Sequence, residues 1–129
     1  MPKVALAFFT VAPIYGLVGM VWGAVMGATE DHTMMPAHAH LNLLGLVLMA
    51  IMGTFYALAG QRVSQRLAWA NFGLSNLGVL LMIPALTVIL GGDQSGIPII
   101  MAGQAFAILG VVVFLLAVVS LWKAPPAAA

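Results

Sequence analysis

Four long runs of apolar residues dominate the sequence, and they restrict the possible fold more than any other feature. The runs cover residues 4–28, 38–59, 67–91 and 98–122, with short polar connectors between them. Each run is long enough to cross the hydrocarbon core of a bilayer, which takes about 20 helical residues. Because unpaired backbone groups are very costly in lipid, each run should be a helix. The sequence therefore predicts an all-α fold, an integral membrane four-helix bundle.

The scarcity of charge supports a membrane protein. Only 5% of the 129 residues are charged, whereas soluble domains carry about 25%. We expect a single membrane domain over residues 1–129, in which residues 124–129 form a flexible tail. The lipid bilayer is its expected partner, and the net charge of +1 does not favour nucleic acid. The absence of cysteine excludes disulfides and thiolate metal sites.

The few charged residues are segregated by sign between the two sides of a four-span arrangement. The basic residues on one side are Lys3, Arg62, Arg66 and Lys123, and the acidic residues on the other are Glu30, Asp31 and Asp93. The positive-inside rule places the basic side, with both termini, in the cytoplasm. The loop at residues 32–40 then faces the periplasm or the outside of a multi-pass protein in a bacterial-type inner (cytoplasmic) membrane.

Every histidine in the chain lies within nine positions, close to the start of the second run. These are His32, His38 and His40, in and before the stretch MMPAHAHLNLLG at residues 34–45. Residues two apart on a regular helix point about 200° apart, so one helix cannot direct both His38 and His40 at one ligand. We expect His38 on the inward face of the helix, and His40 against a neighbouring helix, a partner or the membrane interface.

The face that carries His38 is a candidate haem site. Helical spacing leads from His38 through Asn42, Gly45, Met49, Met52 and Tyr56, whereas from His40 it leads through the apolar Leu44, Val47, Ile51 and Phe55. Gly45 has no side chain and would leave room for a flat ligand. A neutral imidazole above such a face is what an axial ligand of haem b requires. The alternative interpretation is structural, with His38 capping the helix or bonding an interfacial carbonyl.

The same stretch also contains a possible copper site. Imidazoles from His32, His38 and His40 lie beside the thioethers of Met34 and Met35. Soft thioethers combined with imidazoles suit copper. The alternative is chance, because methionine is common in membrane segments and short His/Met runs also arise without a metal site.

Small and polar residues in the other runs point to helix packing. Gly19, Gly23 and Gly27 form a double GxxxG pattern, which lets helices approach closely. The amides of Asn71, Asn76 and Gln104 would bond between helices. No run contains an acidic or basic residue in its interior, which argues against a proton pump or an ion-coupled carrier.

Residues 38–45, HAHLNLLG, resemble the second helix of haem–copper oxidase subunit I, especially the cbb-type and nitric-oxide-reductase branch. In that family a histidine near the outer end of this helix ligates the low-spin haem, and a glycine follows at the spacing of His38 and Gly45. The stretch NFGLSNLGVLLM, residues 71–82, is similar to a third helix of related short proteins. Asn76, Gly78 and Met82 match, while Asn71 stands where a histidine is expected. The fourth run is also similar to a helix of these short proteins.

The resemblance implies that His38 is an axial ligand of haem b, in a protein that transfers electrons or binds a gas. It implies no independent enzyme, because the copper-site histidines and the second haem ligand of that family come from later helices. The second axial ligand would be His32, a methionine, or His38 or His40 of a second protomer. The alternative is a non-catalytic accessory subunit of a larger respiratory or photosynthetic complex. A homo-oligomer or such a complex is expected in either case.

Overall fold

The computed structural model describes residues 1–123, which form four long helices and no strand. The helices are α1 (Lys3–Thr29), α2 (Met35–Arg62), α3 (Gln65–Leu90) and α4 (Gln94–Ser120). All four are long and apolar enough to cross a membrane. The predicted all-α fold with four membrane spans is therefore confirmed, and the protein is a multi-pass membrane protein. The predicted tail, residues 124–129, lies outside the described part of the chain.

The helices begin and end within a few residues of the predicted spans. The second helix starts three residues before the predicted residue 38, at Met35. Pro36 lies in its first turn, and Pro98 lies in the first turn of the regular part of α4. Proline suits these positions because the first backbone N–H groups of a helix have no intrahelical partner. Gly60, with φ of 60°, ends the α-helical part of α2 in the left-handed region that glycine tolerates.

Helix α2 is not a regular α-helix along its whole length. It is α-helical over Met35–His40, π-helical over Leu41–Leu48 and α-helical again over Met49–Ala59. The sequence predicted one regular helix, and the difference matters for which residues share a face. The i→i+5 bonds of a π-helix widen its turns, so residues four apart stay more nearly aligned. The buried residues Leu41, Gly45 and Met49 follow that spacing.

The four helices pack as two close pairs. In one pair, α1 lies against α2; in the other, α3 lies against α4 along most of its length. Small residues make the α3–α4 approach possible. A methyl group on Gly78 would lie 2.7 Å from the backbone nitrogen of Ala107, and one on Gly103 would lie 2.7 Å from that of Met82. Helix α4 touches mainly α3, and its remaining surface is apolar and exposed.

An aromatic cluster fills the end of the bundle that holds the N-terminus. Phe8 of α1 packs against Tyr56 of α2 and Phe72 of α3, with ring centroids 5.7 and 5.0 Å away. Phe114 of α4 joins through Phe55, at 5.1 Å. The opposite end, called the histidine end here, holds the loop between α1 and α2 and the polar residues at the start of α2.

Candidate functional site

The side chain of His38 is held between α1 and α2. Its Nδ1 atom lies 2.9 Å from the backbone carbonyl oxygen of Gly19. Because a carbonyl oxygen only accepts hydrogen bonds, Nδ1 carries the proton, and Nε2 carries the free lone pair of the neutral ring. The ring packs on Gly23, where an added methyl group would come within 2.8 Å of Cε1. The double GxxxG pattern of α1 thus accommodates the imidazole.

Asn42 lies one turn after His38 and also faces α1. Its Nδ2 atom is 3.3 Å from Nε2 and 3.4 Å from Nδ1 of His38. Nearly equal distances to both ring nitrogens place this amide over the ring, so it does not point at one lone pair. The Oδ1 atom is buried and has no conventional hydrogen-bond partner in the described chain. A Cα–H of Gly19 points towards it, and such contacts recur where helices pack closely.

The space beside Gly45 is occupied by an aromatic side chain. A methyl group at Gly45 would lie 2.8 Å from both Cβ and Cγ of Tyr15, on α1. The space predicted for a flat ligand is therefore occupied by Tyr15 in this structure. The hydroxyl of Tyr15 donates to Oδ1 of Asn76 on α3, at 3.0 Å. Sequence reasoning did not find Tyr15, because nothing in its neighbourhood marks it as facing α2.

His40 lies on a different side of α2 from His38. Its Nδ1 atom bonds the carbonyl oxygen of Pro36 at 2.7 Å, and the side chain is exposed. With Leu44 and Leu48 it lines a groove between α2 and α4. Regular helical spacing would continue this face through Val47; the π-helical spacing replaces that residue with Leu48. This position agrees with the expectation that one helix does not direct both His38 and His40 at one ligand.

The loop before α2 is short and exposed. Nδ1 of His32 lies 3.0 Å from the carbonyl oxygen of Glu30. The Thr33 hydroxyl donates to Asp31 at 2.6 Å and the Thr33 amide at 3.0 Å, and these bonds lower the pKa of Asp31 below its usual value.

The same loop carries residues that the sequence predicts to bind copper. Within residues 1–123, no group of three or more His, Cys, Asp or Glu side chains is placed to hold a metal ion. Met34 is half-buried and Met35 is 52% exposed. Copper binding by the three histidines, His32, His38 and His40, with Met34 and Met35 remains a prediction.

Asn71 connects three helices next to the aromatic cluster. Its Oδ1 atom accepts from the Tyr56 hydroxyl at 3.1 Å, and its Nδ2 atom donates to the Gly110 carbonyl at 2.8 Å and to Ser75 Oγ at 3.2 Å. The residue is fully buried. Asn71 therefore serves as the interhelical bond that the sequence predicted for the amides of this run.

Comparison with known proteins adds no relative: no protein-family model, no curated protein and no solved structure matches the chain. The resemblance of residues 38–45 to an oxidase helix consequently rests on the sequence motif alone. The side chains around His38 are therefore the basis on which a function can be inferred.

Proposed function

We propose that this protein is a small haem-b-binding membrane protein in which Nε2 of His38 is an axial ligand. One observation carries the proposal: the bond from Nδ1 of His38 to the Gly19 carbonyl. Histidines that bind metals usually donate their other ring nitrogen to a carbonyl or carboxylate, which fixes the tautomer and orients the ring. Here the backbone of α1 performs that role, and Nε2 is left as the ligand atom.

The surroundings of His38 limit how haem would be held. Tyr15 covers Gly45, so the macrocycle would not lie along the deeper part of α2. His38 is only half-buried and lies near the histidine end of the bundle. The residues present fit one axial ligand at the edge of the α1–α2 pair. A second protomer or a complex partner would then cover the other face of the haem and supply, or leave open, the second ligand.

The residues of this chain would orient and shield the bound group. Gly19 fixes the imidazole, Gly23 gives the ring room against α1, and the Asn42 amide lies over the ring. Haem, when bound, supplies a one-electron centre or a gas-binding iron, and its axial ligands and burial set its potential. The protein would then transfer electrons or bind a gas at the outer surface of its membrane. No oxygen-reducing centre is proposed.

A second candidate function is that of an accessory subunit, which the packing of His38 itself favours. The imidazole and the Asn42 amide fill the glycine face of α1 as ordinary interior side chains do. Large apolar side chains are exposed along α1 and α4, which suits either lipid or the subunits of a larger membrane complex. In this role the histidine stabilises the α1–α2 pair and binds no cofactor.

The test is an absorbance spectrum of the purified protein with haem added, in oxidised and reduced form. We expect a haem b spectrum that His38→Ala abolishes or shifts, while Leu43→Ala leaves the band positions in place. Leu43 is the matched control because it lies on the same helix but lines a different surface. A colourless protein after haem addition, or a His38→Ala spectrum identical to the original, contradicts the haem proposal and favours the accessory subunit.

A further inference from the structure

Helix α4 is the least enclosed of the four membrane helices. In an apolar 18-residue stretch of α4, 11% of the residues are buried within the described chain, against 33% in each of the other helices. Its buried side is the row of small residues, including Gly103 and Gly110, that meets α3. The rest of its surface must therefore be covered by lipid or by another helix.

One polar side chain interrupts this exposed apolar surface. Gln104 is exposed and lies three residues from Ala107, the central residue of α4, so it is about 4.5 Å from the middle of the span. Among residues 1–123 its amide has no hydrogen-bond partner, whereas the amides of Asn71 and Asn76 bond within the chain. About 10 Å of hydrocarbon then separates Gln104 from the membrane interface, which is farther than a glutamine side chain extends. Because lipid chains offer no hydrogen bond, an unpaired amide at this depth is costly.

The residues on the same face as Gln104 have the spacing of a seam between two paired helices. Their intervals alternate between four and three residues, the repeat with which two helices pack along their length. All are exposed, and they are called the α4 seam here: Ile97, Met101, Gln104, Ile108, Val111 and Leu115. The α4 seam is about 27 Å long, close to the thickness of the hydrocarbon core. Gln104 occupies a seam position, from which a single polar residue can fix the register of a helix pair.

A second copy of this chain supplies the partner that the Gln104 amide lacks. Two copies inserted in the same direction are related by a two-fold axis along the membrane normal, so their α4 helices run parallel and each seam residue faces its own counterpart. An amide is both a donor and an acceptor, so two Gln104 side chains at one depth satisfy each other. Lipid cannot do this, and an unrelated helix would need a polar residue at the same depth.

The groove between α2 and α4 fits the same partner. Gln104, Ile108 and Val111 belong to the α4 seam and also form part of the wall of this groove. A helix packed on the seam therefore lies over the groove, and its side chains can fill the volume of about 540 Å³. By symmetry, α4 of each copy covers the groove of the other.

We propose that the protein forms a parallel homodimer through the α4 seam. Nε2 of Gln104 in each copy donates to Oε1 of Gln104 in the other, and the apolar seam residues pack on both sides of this pair. The seam lies on α4, whereas His38 lies between α1 and α2, so the proposal stands whether or not haem binds.

The first test measures energy transfer between copies of the full-length protein in phosphatidylcholine liposomes. Donor or acceptor dyes are attached at Gln61→Cys, an exposed position outside the seam. We expect transfer that persists as the protein is diluted with lipid and is lost when excess unlabelled protein is added. Gln104→Leu should fold normally and lower the association constant about threefold to tenfold, the value of one or two interhelical hydrogen bonds. Absence of transfer, or an unchanged association constant for Gln104→Leu, would overturn the proposal.

The second test uses disulfide cross-linking to locate the interface. Ile108 and Leu109 are neighbours and both are exposed, but only Ile108 belongs to the α4 seam. Oxidation of isolated membranes with copper phenanthroline should link Ile108→Cys into dimers, because its two counterparts lie within reach of a disulfide. Leu109→Cys, the matched control, should give little product. Equal yields from the two variants would show random collision, and cross-linking of Ile108→Cys to a different protein would place another subunit on α4. Either result contradicts the homodimer.

Discussion

Gly19 is the residue on which the arrangement of His38 and Asn42 depends. Its carbonyl accepts from His38, and a methyl group at its Cα would overlap the Asn42 side chain. We expect Gly19→Ala to destabilise the protein by about 1–3 kcal/mol, the usual cost of overpacking. It should also lengthen the His38 bond. Gly27→Ala is the matched control, because nothing lies within 4 Å of a methyl group there.

The measurement is denaturant-induced unfolding in detergent micelles, followed by circular dichroism, together with the Nδ1 resonance of His38. Gly27→Ala should be neutral or stabilising, since alanine favours a helix over glycine by about 0.5–1 kcal/mol. Equal stability of Gly19→Ala and Gly27→Ala, with an unchanged His38 resonance, would show that α1 and α2 are not in close contact at Gly19.

Sequence reasoning reached some of these residues and not others. The GxxxG spacing correctly indicated close packing, and the helical spacing correctly placed Gly45, Met49 and Met52 on a buried face. It did not distinguish Gly19 from Gly27, since both have the same local pattern. Which glycine meets a neighbour depends on where two helices cross, and a single helix does not encode that position.

At the scale of elements, the π-helical segment of α2 decides which residues share a face. His38 and Asn42 point at α1, and His40, Leu44 and Leu48 point at the groove. A regular α-helix would rotate residues four apart by about 40° per step and would spread these faces. The wider turn keeps His40, Leu44 and Leu48 aligned over two turns. π-helical turns are frequent at functional sites, and this one separates the proposed haem ligand from the groove.

Helix α4 approaches α3 through small residues seven positions apart. The only buried residues among the described positions of α4 are Gly96, Gly103, Gly110 and Ala117. We expect Gly103→Ala to destabilise the protein by about 1–3 kcal/mol, because the new methyl group would meet the backbone of Met82, which cannot move aside as a side chain can.

The control for this variant is Gly73→Ala on α3, where a methyl group meets nothing within 4 Å. Unfolding in micelles should show a clear loss of stability for Gly103→Ala and none for Gly73→Ala. Equal midpoints for the two variants would contradict the close α3–α4 contact. The seven-residue spacing was present in the sequence and could have predicted this contact. The π-helical segment could not have been predicted, because no proline or glycine pattern indicates it.

For the whole molecule, the number of helices and their limits could be predicted, because the cost of unpaired backbone groups in lipid leaves a long apolar run few alternatives. The pairing of the helices could not. Lipid is as apolar as the side chains, so hydrophobicity does not select one neighbour over another. The selection is made by small residues and amides such as Gly78 and Asn71, whose partners are visible only in three dimensions.

The orientation of the molecule in the membrane rests on a few charges and can be tested directly. Because the chain contains no cysteine, single substitutions report one position at a time. The exposed residues Thr33 and Ser95 lie on the acidic side, and exposed Gln61 lies on the basic side, next to Arg62. The positive-inside rule predicts that a membrane-impermeant maleimide labels Thr33→Cys and Ser95→Cys in intact bacterial spheroplasts. Gln61→Cys should be labelled only after the membrane is opened. The reverse pattern would place the histidine end in the cytoplasm, and the proposed haem site would then face cytoplasmic partners.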